Sequence, residues 1–259
     1  MNHTIAKKIE HNAEKYDHWD YYPLEGYIYE NLLDERLLSQ LQKNVKSHIR
    51  QDTTTYGTHR TTFNFKNSKY AIVKHQQNAR YQQFVYDLTF EKDWWEQTQE
   101  TVGAWANDYL IKNINPIFYK FLKRMYELPP FNEDPENWIP YRWHMNVLEY
   151  DNFLSLHSDG DGKIYLDRQE SNSVSLTFYL EEHQEGWGGE LFTLDGFVYT
   201  PIKNSAIGFN GHVVAHGVRA NTKPTKEPRL AFTTRWIHSK DVYFPKEHPK
   251  MQDFKLEWS

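Results

Sequence analysis

The chain has 259 residues, 39% hydrophobic and 16% aromatic, enough apolar material for a sizeable core and too much for a disordered chain. A net charge of −5 argues against a phosphate-backbone binder, and no apolar run is long enough to span a bilayer, so neither nucleic acid nor membrane is expected as a partner. There is no cysteine, which removes disulfides, thiolate metal sites and cysteine nucleophiles and leaves histidine and carboxylates to hold any metal.

The opening, MNHTIAKKIEHNAEKYDHWD, is polar and lacks the apolar stretch of a signal peptide, which with the missing cysteine makes a cytoplasmic location the expectation. Over 35–49, Leu37, Leu38, Leu41, Val45 and Ile49 fall on one helical face. The Thr-rich run TTTYGTHRTTFNF follows as strand or loop. A second helix is expected over 93–110, with Trp94, Thr98, Val102, Trp105 and Tyr109 as its stripe. A third is expected over 116–126, where Pro116 suits the first turn and Ile117, Phe118, Phe121, Leu122 and Met125 cluster. All three stripes read as packing faces.

After the connection PPFNEDPEN (129–137) the texture changes to short β-branched and aromatic runs punctuated by Gly, Asn, Asp and Pro. Strands are expected near 141–150, 154–159, 173–180, 190–194, 197–200, 205–210, 213–219 and 229–238. Eight such strands without intervening helices give a mainly β (α+β) fold class, a double-stranded β-helix (jelly roll) with buttressing N-terminal helices. The organisation expected is one domain over 1–259. It comprises a helical or mixed layer (1–137), the jelly-roll core (138–240) and a C-terminal extension (241–259).

The strongest local signal is Leu154-Ser155-Leu156-His157-Ser158-Asp159-Gly160. On a strand, His157 and Asp159 would face the same side and could grip one ion. Two His and one carboxylate leave three coordination positions open, the arrangement of non-haem Fe(II) oxygenases. Downstream come Trp187-Gly188-Gly189-Glu190-Leu191-Phe192, Ile207-Gly208-Phe209-Asn210, His216-Gly217-Val218, and a strand opening on a cation, Arg229-Leu230-Ala231-Phe232-Thr233-Thr234-Arg235-Trp236.

As an ordered set, over roughly 140–238, these motifs resemble the prolyl-4-hydroxylase-like branch of the Fe(II)/2-oxoglutarate dioxygenase superfamily; Tyr29–Asp34 looks like the entry to such domains. The resemblance implies His157, Asp159 and His216 as both the catalytic residues and the metal ligands. It implies Arg229 on the distal carboxylate of 2-oxoglutarate, Tyr179 on that same carboxylate, and Tyr150 lining the cosubstrate site. The cofactors implied are Fe(II), 2-oxoglutarate and O2, with ascorbate as a candidate reductant. A planar guanidinium suits a bidentate pair with a carboxylate. Arg235 shares Arg229's strand face and is its rival, Arg229 being favoured because it opens the strand. RANTKPTKEP (219–228) lengthens the stretch between His216 and Arg229 relative to the family.

Asp159 stands where related halogenases carry a small residue, so hydroxylation is the expected outcome. The expected substrate is a prolyl or other amino-acid residue in a protein, or a free amino acid or small metabolite. Trp187 and the loops 160–172 and 219–228 are the expected contacts. Glu190 reads as structural, and His144, His183 and His238 as solvated or structurally bonded. His212 and Asp161 are weaker candidate ligands than His216 and Asp159. The alternative function is a non-catalytic, metal-containing cupin-like binding protein. A zinc hydrolase would need a general base beside its bound water, and none is evident.

Overall fold

Ser-Val-Ser-Leu-Thr-Phe-Tyr alternates small polar with large apolar side chains, the pattern of a strand whose two faces meet different surroundings. In the computed structural model this run, Ser173–Tyr179, is the central strand of a seven-stranded antiparallel sheet. The structure describes residues 4–10, 24–51, 81–87, 115–148, 150–151, 153–159 and 173–238. The expected helix over 93–110, the Thr-rich run, the loop 160–172 with Asp161, and the extension 241–259 lie outside them.

The strands in chain order are β1 (Ile5–Lys8), β2 (Gly26–Glu30), β3 (Tyr81–Asp87), β4 (Trp138–Leu148), β5 (Leu154–His157), β6 (Ser173–Tyr179), β7 (Leu191–Thr193), β8 (Val198–Tyr199), β9 (Ser205–Phe209), β10 (His216–Val218) and β11 (Arg229–His238). The large sheet runs β1-β2-β9-β6-β11-β4-β3, and the small one β5-β10-β7-β8. This is the jelly roll anticipated. Its eight core strands, β4 to β11, match the eight expected, and the chain ahead of them adds three more, β1 to β3, to the large sheet. Two helices are described, α1 (Glu35–Gln51) and α2 (Asn115–Met125). Asp34 Oδ1 accepts from the Leu37 amide at 2.9 Å, capping α1. None of the described helices is long and apolar enough to cross a membrane.

The alternation of β6 divides the interior in two. Val174, Leu176 and Phe178 point to the helices, where they join Leu38, Leu41 and Val45 of α1, Phe118 and Phe121 of α2, and Leu230, Phe232 and Trp236 of β11. The Phe121 and Phe178 rings stack at 4.5 Å. Each such fully buried side chain contributes about 1.5–3 kcal/mol through apolar burial, so the helices fix the sheet rather than merely covering it. On the opposite face Tyr179, Ile207, Phe209 and Ala231 pack with Leu191 and Tyr199 of the small sheet. That inner face also carries Ser173, Ser175 and Thr177 of β6 and Arg229, Thr233 and Arg235 of β11, and these polar residues position the site.

Candidate active site

His157 ends β5 and His216 begins β10, and the two sit directly across from each other in the small sheet. Their rings are 4.5 Å apart, centroid to centroid. Asp159 lies beyond the end of β5, so strand alternation is not what aims it. Its amide donates to the Gly211 carbonyl at 2.7 Å, and its carboxylate is gripped from the large sheet. Arg235 Nη2 donates to Oδ1 at 2.7 Å and Ser175 Oγ to Oδ2 at 2.5 Å. Oδ1 lies 3.8 Å from His157 Nε2, and Oδ2 lies 4.0 Å from His216 Nε2. One ligand atom from each of the three residues falls within 4.8 Å of the others, the one such group among the described residues. His216 Nδ1 faces the Val214 carbonyl at 2.9 Å, which orients the ring and leaves Nε2 for an ion.

Burial by itself would push the Asp159 carboxyl upward. The Arg235 guanidinium, His216, the Ser175 hydrogen bond and His157 together outweigh burial and hold it well below the usual carboxylate range. It is therefore an anion poised for a cation. Gly211 makes room for this arrangement, since a Cβ there would sit 2.4 Å from both Asp159 Oδ2 and Ser175 Oγ.

Along the inner face of β6, Ser175 touches Asp159, Thr177 lies 3.2 Å from Thr233 of β11, and Tyr179 lies beside Arg229. Asn146 of β4 donates to Thr233 at 2.8 Å. A polar row about 13 Å long, four residues of strand, thus links the triad to Arg229. Arg229 is buried, its Cζ 5.3 Å from the Tyr179 ring. Its Nε and Nη1, the Tyr179 hydroxyl and Glu190 Oε2 are all buried without a hydrogen-bond partner among the described residues. Burial raises the Tyr179 phenol despite Arg229, keeping it a donor. The unpaired donors among these, Arg229 Nε and Nη1 and the Tyr179 hydroxyl, suit an incoming carboxylate, while two imidazoles and a carboxylate suit Fe(II). The donor sets fit the groups expected from the sequence.

The two arginines that share a strand face are thus separated by their partners: Arg235 is committed to Asp159, and Arg229 is not. Tyr150 departs from expectation. It is 42% exposed on the turn after β4, with Lys226 Nζ 5.4 Å from its ring, and it does not share the buried surroundings of Arg229 and Tyr179. The loop 219–228 leads into Arg229. It bonds Trp187 through the Thr222 amide, and Asn221 Nδ2 donates to the Leu148 carbonyl. His212 lies in the turn before β10, outside the triad, and His238 faces Asp134 at 3.1 Å. Ser175, Gly211 and the Arg235 contact were not foreseen. The strand alternation that places Ser175 on the same face as Tyr179 was the one available signal.

Among curated proteins no sequence matches the chain. Among solved structures, a prolyl-4-hydroxylase from Pseudomonas putida is similar at 14% identity and a TM-score of 0.44, over 82% of this chain and 90% of that one. A viral collagen prolyl hydroxylase from Paramecium Bursaria Chlorella virus-1, in complex with 2-oxoglutarate, aligns at 12% identity and 0.47, over 82% and 94%. A prolyl hydroxylase from Trichoplax adhaerens, bound to a hypoxia inducible factor peptide, aligns at 14% and 0.46, over 83% and 84%. The family model of the 2OG-Fe(II) oxygenase superfamily matches residues 144–238, the span from β4 to the end of β11 that contains every residue of the site just described. Residues 144–238 are thus similar to the 2OG-Fe(II) oxygenase superfamily, whose members are non-haem iron dioxygenases that use Fe(II), 2-oxoglutarate and O2.

Proposed function

We propose that the protein is a hydroxylase in which His157, Asp159 and His216 hold the iron and Arg229 and Tyr179 anchor the distal carboxylate of 2-oxoglutarate. The observation that carries this reading is the polar row of β6 and β11, which has a three-ligand cluster at one end and a buried arginine with two donors lacking hydrogen-bond partners, Nε and Nη1, at the other. When bound, iron and 2-oxoglutarate supply oxygen activation, with succinate and CO2 released as a substrate C–H becomes C–OH. The chain's own contribution is ligation, orientation and exclusion of water. Arg235 and Ser175 fix both oxygens of Asp159, so the carboxylate needs no reorganisation when it meets the ion. Arg229 supplies the charge that selects a dicarboxylic keto acid over a monocarboxylic one, and the Tyr179 phenol adds a neutral donor. Tyr150, at the surface, has no part in this anchor.

The substrate class we propose is a prolyl or other amino-acid side chain in a peptide or protein, or a free amino acid or similar metabolite; the ordered motifs of 140–238 support it. The cysteine-free composition supports a cytoplasmic location. The packing of α1 and α2 on the large sheet supports one oxygenase domain. Succinate release against a panel of amino acids and proline-containing peptides tests the function. The panel is expected to reveal at least one substrate that raises turnover. His157→Ala and Asp159→Ala should abolish it, and full substrate-dependent turnover in both variants would overturn the ligand assignment.

A further inference from the structure

His183 is buried beside the proposed anchor, and a single glycine separates the two. Gly189 adopts φ +70°, and a Cβ there would lie 2.9 Å from His183 Nε2 and 3.0 Å from Arg229 Cδ, so imidazole and arginine arm flank one missing methyl position. The His183 amide donates to the Pro201 carbonyl at 3.0 Å, and Nε2 lies 3.4 Å from the Trp187 carbonyl. The Trp187 ring meets the imidazole edge-on at 5.6 Å. We propose that His183 is a positioning residue of the cosubstrate site: when the distal carboxylate of 2-oxoglutarate settles on Arg229, the His183 imidazole takes a proton from solvent. Its positive charge then reinforces Arg229 across Gly189. This inference rests on the Arg229 anchor proposed above.

The charges facing His183 decide the direction. Burial first, then Arg229 and more weakly Lys223, hold its pKa below the ordinary 6.5, while the Trp187 carbonyl and Glu190 oppose them. Lys223 is already offset by Glu227 at 2.8 Å and Glu181 at 4.0 Å. Arg229 has buried donors without partners, so its field is the one an arriving carboxylate cancels. Cancelling it raises the proton affinity of the imidazole. Between the free-state pKa, below 6.5, and the higher ligand-bound one, binding takes up a proton. There, 2-oxoglutarate affinity increases as pH falls, and it levels off on either side.

The test is calorimetry of 2-oxoglutarate binding to the Mn(II)-loaded full chain at about pH 7, in buffers of differing ionisation enthalpy. The expected result is an apparent enthalpy that tracks the buffer with the sign of proton uptake, amounting to a fraction of one proton. Pyruvate, which chelates but has no distal carboxylate, should show no such dependence. His183→Gln should bind 2-oxoglutarate with the dependence lost and an affinity that no longer varies between about pH 6 and 8. Buffer-independent binding of 2-oxoglutarate, equal uptake with pyruvate, or unchanged uptake in His183→Gln would overturn the inference while leaving the anchor intact. Absence of any 2-oxoglutarate binding to metal-loaded protein would instead remove the anchor itself.

Discussion

Gly211→Ala adds one methyl group, changes no charge and removes no ligand, yet it should disable metal binding. The added Cβ would stand 2.4 Å from Asp159 Oδ2 and from Ser175 Oγ, and 2.8 Å from Ser175 Cβ, about 1 Å short of ordinary contact. Gly211 does not occupy the left-handed region, so the alanine suits the backbone and the whole conflict falls on the carboxylate. Asp159 cannot retreat freely, because its amide is bonded to Gly211 and Arg235 holds its other oxygen. Metal–ligand distances tolerate only about 0.2 Å, and a 1 Å misplacement costs about 100-fold in activity. Mn(II) affinity and succinate formation should both fall by about that factor, while circular dichroism shows a folded protein. Gly196→Ala is the control. Gly196 has φ +87° with nothing within 4 Å of its Cβ position, so the substitution should cost about 1 kcal/mol of stability and leave metal affinity intact. If Gly211→Ala bound Mn(II) within threefold of the wild type, the tight fit around Asp159 would not be what prepares the site.

Arg229→Met should raise the 2-oxoglutarate KM by about 100-fold, as expected for loss of a buried charge-assisted pair. It should leave the metal-free melting temperature unchanged or higher, because an apolar side chain replaces a buried cation with unpartnered donors. Arg235→Met should do the reverse, lowering the melting temperature by stranding the Asp159 carboxylate, at a cost of about 3–5 kcal/mol. Equal KM effects from the two variants would refute their division of labour. Phe121→Ala should destabilise the protein by about 3–5 kcal/mol in urea titration, since its ring stacks on Phe178 of the large sheet. A small change would show that α2 is not part of the cooperative unit. The depressed Asp159 pKa contributes stability that is present above the unfolded value of about 4 and is lost as pH falls through that value toward the folded one. In metal-free protein, the melting temperature should therefore fall more steeply with acid below about pH 4 than in Asp159→Asn; identical slopes would refute it.

What the sequence disclosed of the fold was what side-chain pattern controls. SVSLTFY and RLAFTTRW alternate because one face of each strand meets helices and the other a polar interior. The stripe Leu38, Leu41 and Val45 is helical because it has one apolar partner surface. β1 was not legible, because Ile-Ala-Lys-Lys carries almost no burial and is held to β2 by backbone pairing that any residue can make. The end of β5 at His157 was not legible either. It is set by the bond between Asp159 and Gly211, more than fifty residues away in sequence.

The site divides along the same physical line. Chemistry that depends on residue type was visible, which is why two imidazoles and a carboxylate could be singled out before their geometry was known. Chemistry that depends on which residue reaches which was not. Arg229 and Arg235 share one strand face, and alternation treats them alike; what distinguishes them is that the large sheet meets Asp159 at the level of Arg235 and Ser175. The carboxylate that neutralises Arg235 belongs to the chain, whereas the buried donors of Arg229 find no partner among the described residues. A folded protein retains a buried cation with unpartnered donors at a cost of several kcal/mol unless something else returns it. On the function proposed above, an anionic ligand returns it, and the same free energy that destabilises the empty site becomes binding selectivity for a keto acid with a second carboxylate.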